Sequence, residues 1–427
     1  MSFNLISTLK MKVLVEGWLT YPHSYSIVNV YQLLALAKLP QLELYISELE
    51  PYREEWRKFK TVCNTVITAE EQKVLDNLER YDGKKSVDLV YRIAYPYDLS
   101  YSRGVYSDNL YKKVPLILFY TAEFQKLTEK NFVNGDANDF IKRCFDKRIL
   151  PVTPSNYSAE ALRKKKFDPL VIPHGVDVEK YKPLIGSERD EFRDLYDIPQ
   201  DAFVFLNVGA MTGNKNVKLI LKSFYKISLF KENVYLVLKG IGDLYATKEN
   251  VNTALKQLVK DGSIPKKQWR SISHRLVYID ELYSYKEMCT LYNSCDCYLS
   301  PYLAEGFNLP VLESIACGTP VIVSKGGPTD DFTTNDFARY PKTFQCKSEN
   351  DEIYLVVDEG SLQEKMLEMM EDTNYRAKAK IVGPAFVKRK FTWKHVAEKM
   401  FNFFDFITPD IMPNMINSCH SDLVSMQ

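Results

Sequence analysis

The stretch AEGFNLPVLESIACGTP, residues 304–320, decides the fold of its region because it joins a loop, a short helix and the start of a buried strand. Pro310 suits the first helical position, where a backbone N–H has no helical partner to lose. Apolar residues at helical spacing follow, and Gly318 is placed to end the helix. The pattern predicts a short amphipathic helix with Glu313 in its first turn and Glu305 on the preceding loop.

The start of this helix is a candidate anion site. A helix leaves its first backbone N–H groups without helical partners, and its dipole favours negative charge there. Such a site suits a phosphate group. The amides expected around it belong to Gly306, Phe307, Asn308 and Leu309. The plain alternative is that Glu313 is only a favourable acid at a helix start and Glu305 a solvated loop charge.

Length and composition bound the class of protein. A chain of 427 residues is long enough for two domains, which implies a cleft. The apolar share of 45% is typical of globular proteins, and no apolar run approaches the roughly 20 residues of a membrane span. A net charge of +1 and the lack of a recognisable nucleic-acid-binding motif argue against a nucleic-acid partner. Eight cysteines without a cleavable signal predict a reducing, cytoplasmic location.

Short apolar runs recur along the chain in two series. The first series extends from KVLVEG (12–17) to PLVIP (169–173), and the second from AFVFLNVG (202–209) to EIYLVV (352–357). Helical or polar segments separate most of the runs. This alternation predicts mostly parallel sheets covered by helices.

The two series predict an α/β fold with two Rossmann-like domains. We place the first domain at 1–175 and the second at 176–399. The charged, proline-containing segment 173–199 is the natural linker. Helices within 400–420 are expected to complete the first domain.

Three cysteines, Cys289, Cys295 and Cys297, lie close together in the sequence. They are either metal ligands or buried structural thiols, and the second interpretation is favoured because no His or fourth Cys stands at ligand spacing. The chain has no Asp-x-Asp sequence, a usual means of holding a divalent metal on a nucleotide diphosphate. We therefore expect no metal and no other cofactor.

Residues 305–322 have the pattern E-G-F-x-L-P-x-L-E-x-x-A-x-G-x-P-V-I, which resembles the hallmark of the retaining GT-B glycosyltransferases, in particular glycosyltransferase family 4. Three further stretches are similar to family motifs in the expected order: VIPHGVDVEKYKP (171–183), LNVGAMTGNKNVKLIL (206–221) and FTWKHVAEKM (391–400). The resemblance implies a GT-B fold. Its second domain would bind a nucleotide sugar, and its first a glycan, a lipid-linked or a small-molecule acceptor.

The resemblance also implies roles for single residues. Glu313 would accept hydrogen bonds from the ribose of the donor, and Glu305 would touch the transferred sugar. Lys215, on the loop after Gly209, would lie against the diphosphate, with the amides of residues 307–309 beside it. The implied reaction is transfer from a UDP- or GDP-sugar with retention of configuration and without a metal.

The chain departs from the family pattern at three places, one of them SKGGPTDDF (324–332), where Asp330 or Asp331 stands near the usual place of a glutamate. The family usually has an arginine after the glycine of the strand-loop motif, and here Ala210 stands in its place. Either Lys215 works with amides alone, or Lys239 or Arg92 supplies the second cation. An ordinary solvated lysine is the alternative for Lys239. Asn308 stands where glycine is usual.

The first domain contributes two further catalytic candidates. His23 precedes a predicted helix in the aromatic loop 17–29, and Glu123 lies in FYTAEF (119–124), near where the family often has a histidine. A structural or solvated role is the alternative for both. His174 is expected to position the chain rather than to catalyse.

Two basic clusters, 142–148 and 163–166, lie in the first domain. Relatives that act on lipid-linked acceptors use such faces against anionic membranes, so peripheral membrane contact is one interpretation and a solvated helix face the other. The leading hypothesis is a glycosyltransferase. A nucleotide-sugar epimerase of the same fold and a non-catalytic binding scaffold are the alternatives.

Overall fold

The structure is a computed structural model that describes residues 10–51, 53–59, 66–99, 114–133 and 136–407. The chain divides into two units. The first unit comprises the chain up to Ala122, Leu127–His174 and the chain from Trp393 onward, and the second comprises Glu123–Lys126 and Gly175–Thr392. The division after His174 lies one residue before the predicted boundary.

A seven-stranded sheet forms the centre of the first unit, and all its strand pairs are parallel. The strands are β1 (Met11–Gly17), β2 (Leu42–Glu48), β3 (Glu79–Arg80), β4 (Leu89–Ile93), β5 (Leu116–Phe119), β6 (Ile149–Thr153) and β7 (Leu170–Val171). Their spatial order is β3-β2-β1-β4-β5-β6-β7. The helices are α1 (Ser24–Leu36), α2 (Ala69–Asp76), α3 (Ala137–Phe145), α4 (Asn156–Arg163) and α14 (Trp393–Phe406).

The last helix returns to the first unit, and its aromatic start explains why. The ring of Trp393 stacks on Tyr31 of α1, with ring centroids 5.5 Å apart and planes 6° from parallel. Phe404 is fully buried in the same core. Helix α14 therefore begins inside the segment predicted for the second domain, while residues 408–420 of the predicted completing helices lie outside the described residues.

A six-stranded parallel sheet forms the centre of the second unit, in the order β10-β9-β8-β11-β12-β13. Its strands are β8 (Phe203–Val208), β9 (Val234–Lys239), β10 (Leu276–Ile279), β11 (Cys297–Ser300), β12 (Val321–Val323) and β13 (Ala338–Arg339). The helices of this unit are α5 (Glu188–Leu195), α6 (Val217–Ser228), α7 (Gly242–Tyr245), α8 (Thr247–Lys260), α9 (Lys266–Ile272), α10 (Tyr285–Ser294), α11 (Leu309–Ala316), α12 (Glu359–Glu371) and α13 (Thr373–Lys390). None of the described helices of either unit is long and apolar enough to cross a membrane.

The run EIYLVV belongs to an antiparallel hairpin, which corrects its assignment to the series of parallel strands. Strand β14 (Thr343–Lys347) pairs antiparallel with β15 (Ile353–Val357). The connection between them is too short for the crossover that parallel strands require. Asp351, in that connection, adopts a left-handed backbone conformation with φ of 62°.

The segment predicted as a linker is folded into the second unit, because it carries α5. Arg193 of this helix is fully buried. Its guanidinium pairs with Asp296 at 2.9 Å and donates to the backbone oxygens of Ser294 at 3.0 Å and Ala202 at 2.8 Å. These bonds satisfy the buried charge and attach the segment to the sheet.

Candidate functional site

Helix α11 begins one residue earlier than predicted, at Leu309 rather than Pro310. Asn308 precedes it in the left-handed conformation, with φ of 76° and ψ of 63°. Gly318 follows the helix with φ of +80°, as expected of a residue that ends a helix. Because the helix starts early, Glu313 is its fifth residue and lies beyond the first turn, which corrects the prediction.

The start of α11 offers fewer amides than a regular helix start. Pro310 has no N–H, and the N–H of Val311 donates to the backbone oxygen of Asn308 at 3.1 Å. Leu309 therefore supplies the first helical N–H. The predicted anion site depends on this amide, on the loop amides before it and on side-chain cations.

Lys215 and Glu305 form a largely buried ion pair, 90 residues apart in sequence. Lys215 Nζ donates to Glu305 Oε1, and the side chains keep 15% and 6% exposure. Gly209 leaves room for the side chain of Lys215, because a Cβ at position 209 would lie only 3.1 Å from Lys215 Cε. The structure therefore brings together the predicted sugar-contacting carboxylate and the predicted diphosphate-binding cation.

Glu123 joins this cluster through Asn214, although the sequence places it far from the second unit's sheet. Asn214 Nδ2 lies 3.4 Å from Glu123 Oε2 and donates to the backbone oxygen of Ala304 at 3.2 Å. Desolvation and the Glu305 carboxylate raise the pKa of Glu123, while Lys215 lowers it. The side chain is exposed to solvent, and the nearby Glu305 carboxylate disfavours a second negative charge beside it.

Glu313 is held by two tyrosines that the sequence patterns did not indicate. Tyr292 donates its hydroxyl to Glu313 Oε2 at 2.7 Å, and Tyr181 also hydrogen-bonds the carboxyl group. Burial raises the pKa of Glu313 to about 7, and the two tyrosine bonds oppose the shift. The carboxyl group is therefore oriented by fixed donors and changes charge near neutral pH.

Lys239 lies at the end of β9, but its ammonium is already occupied. Lys239 Nζ donates to the backbone oxygens of Gly240 at 2.5 Å and Glu281 at 2.6 Å, and it lies 5.0 Å from the centre of the Tyr283 ring. Burial lowers the pKa of Lys239 to about 8. This lysine is neither an ordinary solvated side chain nor an open cation, so its donor-binding role stays a prediction.

Arg92, the other candidate for the second cation, is buried in the first unit and paired there. Its side chain is 2% exposed, and its Nη2 and Nε each lie 2.7 Å from Glu16 Oε2. Its Nη1 donates to the backbone oxygen of Asp98 at 2.6 Å. The guanidinium is therefore buried and bonded within the first unit, as is typical of a structural ion pair.

His23 is the N-cap of α1 in the first unit. Its Nδ1 accepts the backbone N–H of Tyr25 at 3.1 Å, and its ring lies 5.2 Å from those of both Trp18 and Trp56. Burial, with a smaller contribution from Arg53, lowers the pKa of His23 to about 4. The imidazole is therefore neutral at physiological pH and one nitrogen is engaged in the cap. Its catalytic role stays a prediction.

His174 is buried at the end of the first unit. Its ring centre lies 5.7 Å from that of Phe119 and 6.4 Å from that of Trp393. Burial lowers the pKa of His174 to about 3, so the ring stays neutral. These contacts suit the positioning role that we expected for it.

The three clustered cysteines, Cys289, Cys295 and Cys297, are buried in the core of the second unit. The thiol of Cys289 lies 4.0 Å from that of Cys317 on α11's C-terminal side, and burial raises the pKa of Cys295 and Cys297. Among the residues that the structure describes, no group of His, Cys, Asp or Glu is arranged to hold a metal ion. The burial of the three cysteines suits their interpretation as structural thiols, which stays a prediction.

The fold and the site together define a class of protein. Two parallel α/β sheets with their helices form the two Rossmann-like domains of a GT-B fold. Residues 188–386 match the family model described as glycosyl transferases group 1. The chain is accordingly an enzyme of the transferase class, a glycosyltransferase.

Solved structures with the same fold cover nearly the whole chain. A glycosyltransferase from Rickettsia africae ESF-5 matches with a TM-score of 0.66 and 14% identity, over 95% of this chain and 99% of that one. Anabaena Alr3699/HepE in complex with UDP and glucose matches with a TM-score of 0.61 and 14% identity, over 92% and 99%. Sucrose-phosphate synthase from Thermosynechococcus elongatus matches with a TM-score of 0.61 and 14% identity, over 93% and 98%. A sequence search of curated proteins found no match.

Proposed function

We propose that this glycosyltransferase takes a sugar from a UDP- or GDP-sugar and transfers it to a hydroxyl group of an acceptor, with retention of configuration and without a metal. One observation carries the proposal: the buried Lys215–Glu305 ion pair lies at the loop that leads into α11. The likeness to HepE, which was solved with UDP and glucose, supports a nucleotide-sugar donor.

Lys215 has the central electrostatic role in the proposed reaction. When the bond between the anomeric carbon and the diphosphate oxygen breaks, negative charge grows on the departing phosphate. The ammonium of Lys215 and the N–H of Leu309 stabilise this charge, which is the kind of contribution that matters most in the transition state. The pair with Glu305 holds the ammonium in place before the donor binds.

The acceptor hydroxyl forms its bond to the anomeric carbon on the same face of the sugar. Its proton passes to the departing diphosphate oxygen, so the charges balance without a side-chain base. Glu305 lies beside Lys215 and contacts the transferred sugar, while Glu313 accepts hydrogen bonds from the ribose. His23 and Glu123 remain candidates for contact with the acceptor, which is a glycan, a lipid-linked molecule or a small molecule.

Glu313 gives the direct test of donor binding. Isothermal titration calorimetry with UDP, GDP and their sugars would compare the wild-type protein with Glu313→Ala and Glu313→Gln. Loss of a charged acceptor for ribose hydroxyls costs about 1.5 to 3 kcal/mol, or roughly 10- to 150-fold in affinity. Unchanged donor affinity in both variants would exclude the ribose assignment. Glu232→Gln, at an exposed position of the same unit, is the matched control.

A peripheral membrane contact is a further part of the proposal. Phe145 and Phe167 meet edge to face with ring centres 5.4 Å apart, which brings the two basic clusters together. Phe145 is 52% exposed at their junction. An exposed aromatic ring among lysines suits an anionic lipid surface. Flotation with anionic and zwitterionic vesicles, comparing wild type with Phe145→Ser, tests the contact, and equal recovery with both lipids would contradict it.

Two observations favour a non-catalytic binding scaffold as the second candidate. Ala210 replaces the usual arginine, and Lys239 has its ammonium occupied by backbone oxygens. Lys215 is then the cation that serves the diphosphate. A product assay with a panel of nucleotide sugars separates the candidates, because a scaffold would bind nucleotide without forming product. An epimerase would instead convert the donor sugar in the absence of any acceptor.

A further inference from the structure

Asn308 occupies a backbone conformation that suits glycine better than asparagine. Its φ of 76° and ψ of 63° lie in the left-handed region, and its side chain is 5% exposed. A residue with a Cβ is disfavoured there, although asparagine tolerates the region better than most. Glycine would remove this conformational cost, so the asparagine side chain needs a separate reason.

The buried amide of Asn308 has hydrogen-bonding capacity that the protein does not use. Its Nδ2 donates to Ser300 Oγ at 3.0 Å, while its Oδ1 has no hydrogen-bond partner among the described residues. The bond to Ser300 assigns the two ends of the amide, and the oxygen is the end left without a partner. Buried polar atoms of native proteins are nearly always paired, so such an atom points to a missing ligand.

The position of this amide ties it to the proposed donor site. Ser300 ends β11, and Asn308 immediately precedes α11, so the amide lies at the base of the loop that carries Glu305. Glu305 is 5% exposed and is three residues from Asn308 in the sequence. The same short loop therefore carries the carboxylate that contacts the transferred sugar and an amide with an unused end.

We propose that Asn308 selects the donor sugar: the unused end of its amide hydrogen-bonds a hydroxyl group of the transferred sugar. This inference rests on the proposed function, because it assigns a specificity to the same donor site. Binding of the sugar satisfies the atom that the free protein leaves without a partner. A purely structural role explains the bond to Ser300 but not the unused end.

The test compares a nucleotide sugar with its bare nucleotide. Calorimetry with a panel of UDP-, GDP- and ADP-sugars identifies the tightest ligand of the wild-type protein, and Asn308→Gly is then titrated with that ligand and with the matching nucleoside diphosphate. We expect affinity for the nucleotide sugar to fall about 3- to 10-fold, as for a lost neutral hydrogen bond. Affinity for the diphosphate is expected to stay unchanged. A donor that lacks the contacted hydroxyl should bind both proteins equally.

Asp197→Gly is the matched control. Asp197 is an exposed residue of the second unit that also adopts the left-handed conformation, with φ of 52°, so glycine relieves the same backbone strain away from the site. Thermal unfolding of both variants verifies that they fold. Equal changes in the affinity for the nucleotide sugar and for the nucleoside diphosphate, or no change in either affinity, would overturn this inference. Neither result would contradict the proposed function. If the wild-type protein binds no nucleotide sugar of the panel, the proposed function fails as well.

Discussion

Replacing Glu313 by glutamine should make the protein more stable at alkaline pH. Burial raises the pKa of this carboxyl to about 7, from an ordinary value of 4.5. The folded state therefore holds the proton more tightly than the unfolded state. The contribution of Glu313 to the free energy of unfolding is near zero below pH 4.5. It becomes increasingly unfavourable as the pH rises toward 7 and stays constant at higher pH. For this shift the loss is up to about 3 kcal/mol.

Chemical denaturation at pH 4.5, 6, 7 and 8 measures the effect. Glutamine has the shape of the protonated acid and keeps an oxygen for the Tyr292 hydroxyl at the site of the 2.7 Å bond. The free energy of unfolding of Glu313→Gln, minus that of wild type, should increase by up to about 3 kcal/mol between pH 4.5 and 8. Glu232→Gln, at an exposed position, should show no such increase.

A pH-independent difference between Glu313→Gln and wild type would refute this reasoning, because it would mean that the carboxyl titrates alike in both states. A difference of opposite sign would mean that the two tyrosine bonds outweigh burial. The same titration bears on function. Ribose hydroxyls favour the carboxylate, so donor affinity of the wild type should rise as the pH passes 7, while that of the variant stays flat.

Three further predictions concern Lys215, Arg193 and the proposed independence of a metal. Lys215→Met should lower kcat by about 100- to 1000-fold, with a smaller effect on donor KM, because the cation acts on charge that develops in the transition state; equal fractional changes in both constants would contradict this. Arg193→Met should lower the free energy of unfolding by about 3 to 5 kcal/mol, measured by denaturant titration, since it leaves Asp296 without its buried partner. Transfer activity should persist in excess chelator, and its loss there with recovery on adding a divalent cation would show that a metal takes part.

Much of the fold could be predicted because its signals are local. The apolar runs became buried parallel strands such as β1 and β8, and the GT-B architecture was confirmed. The exceptions have physical reasons. The EIYLVV run forms a hairpin because only five residues separate its strand from the preceding partner strand. The apolar pattern of the run does not show which strand it pairs with. The supposed linker folded because Arg193 finds its bonding partners about 100 residues further along the chain.

The candidate site was predicted in its residues but not in its contacts. The motif around α11 indicated Glu305 and Glu313, yet the helix start moved because Asn308 accepts a left-handed conformation. Tyr292, 21 residues from Glu313, carried no sequence signal as its partner. A tyrosine at helical spacing is more often a core residue, so only the tertiary structure shows that the Tyr292 hydroxyl donates to the Glu313 carboxyl group.

The sequence by itself determined the order of strands and helices, the two-domain α/β architecture and the loop that carries the site. These follow from periodicity, glycine positions and helix-start rules, which act over a few residues. Only the tertiary structure decided which charges meet. Lys215 pairs with Glu305 although the two are 90 residues apart in the sequence, and Arg92 pairs with Glu16 although these two are 76 residues apart. Such pairs depend on which strands become neighbours and in what register, and a buried charge binds whichever opposite charge that arrangement brings within reach.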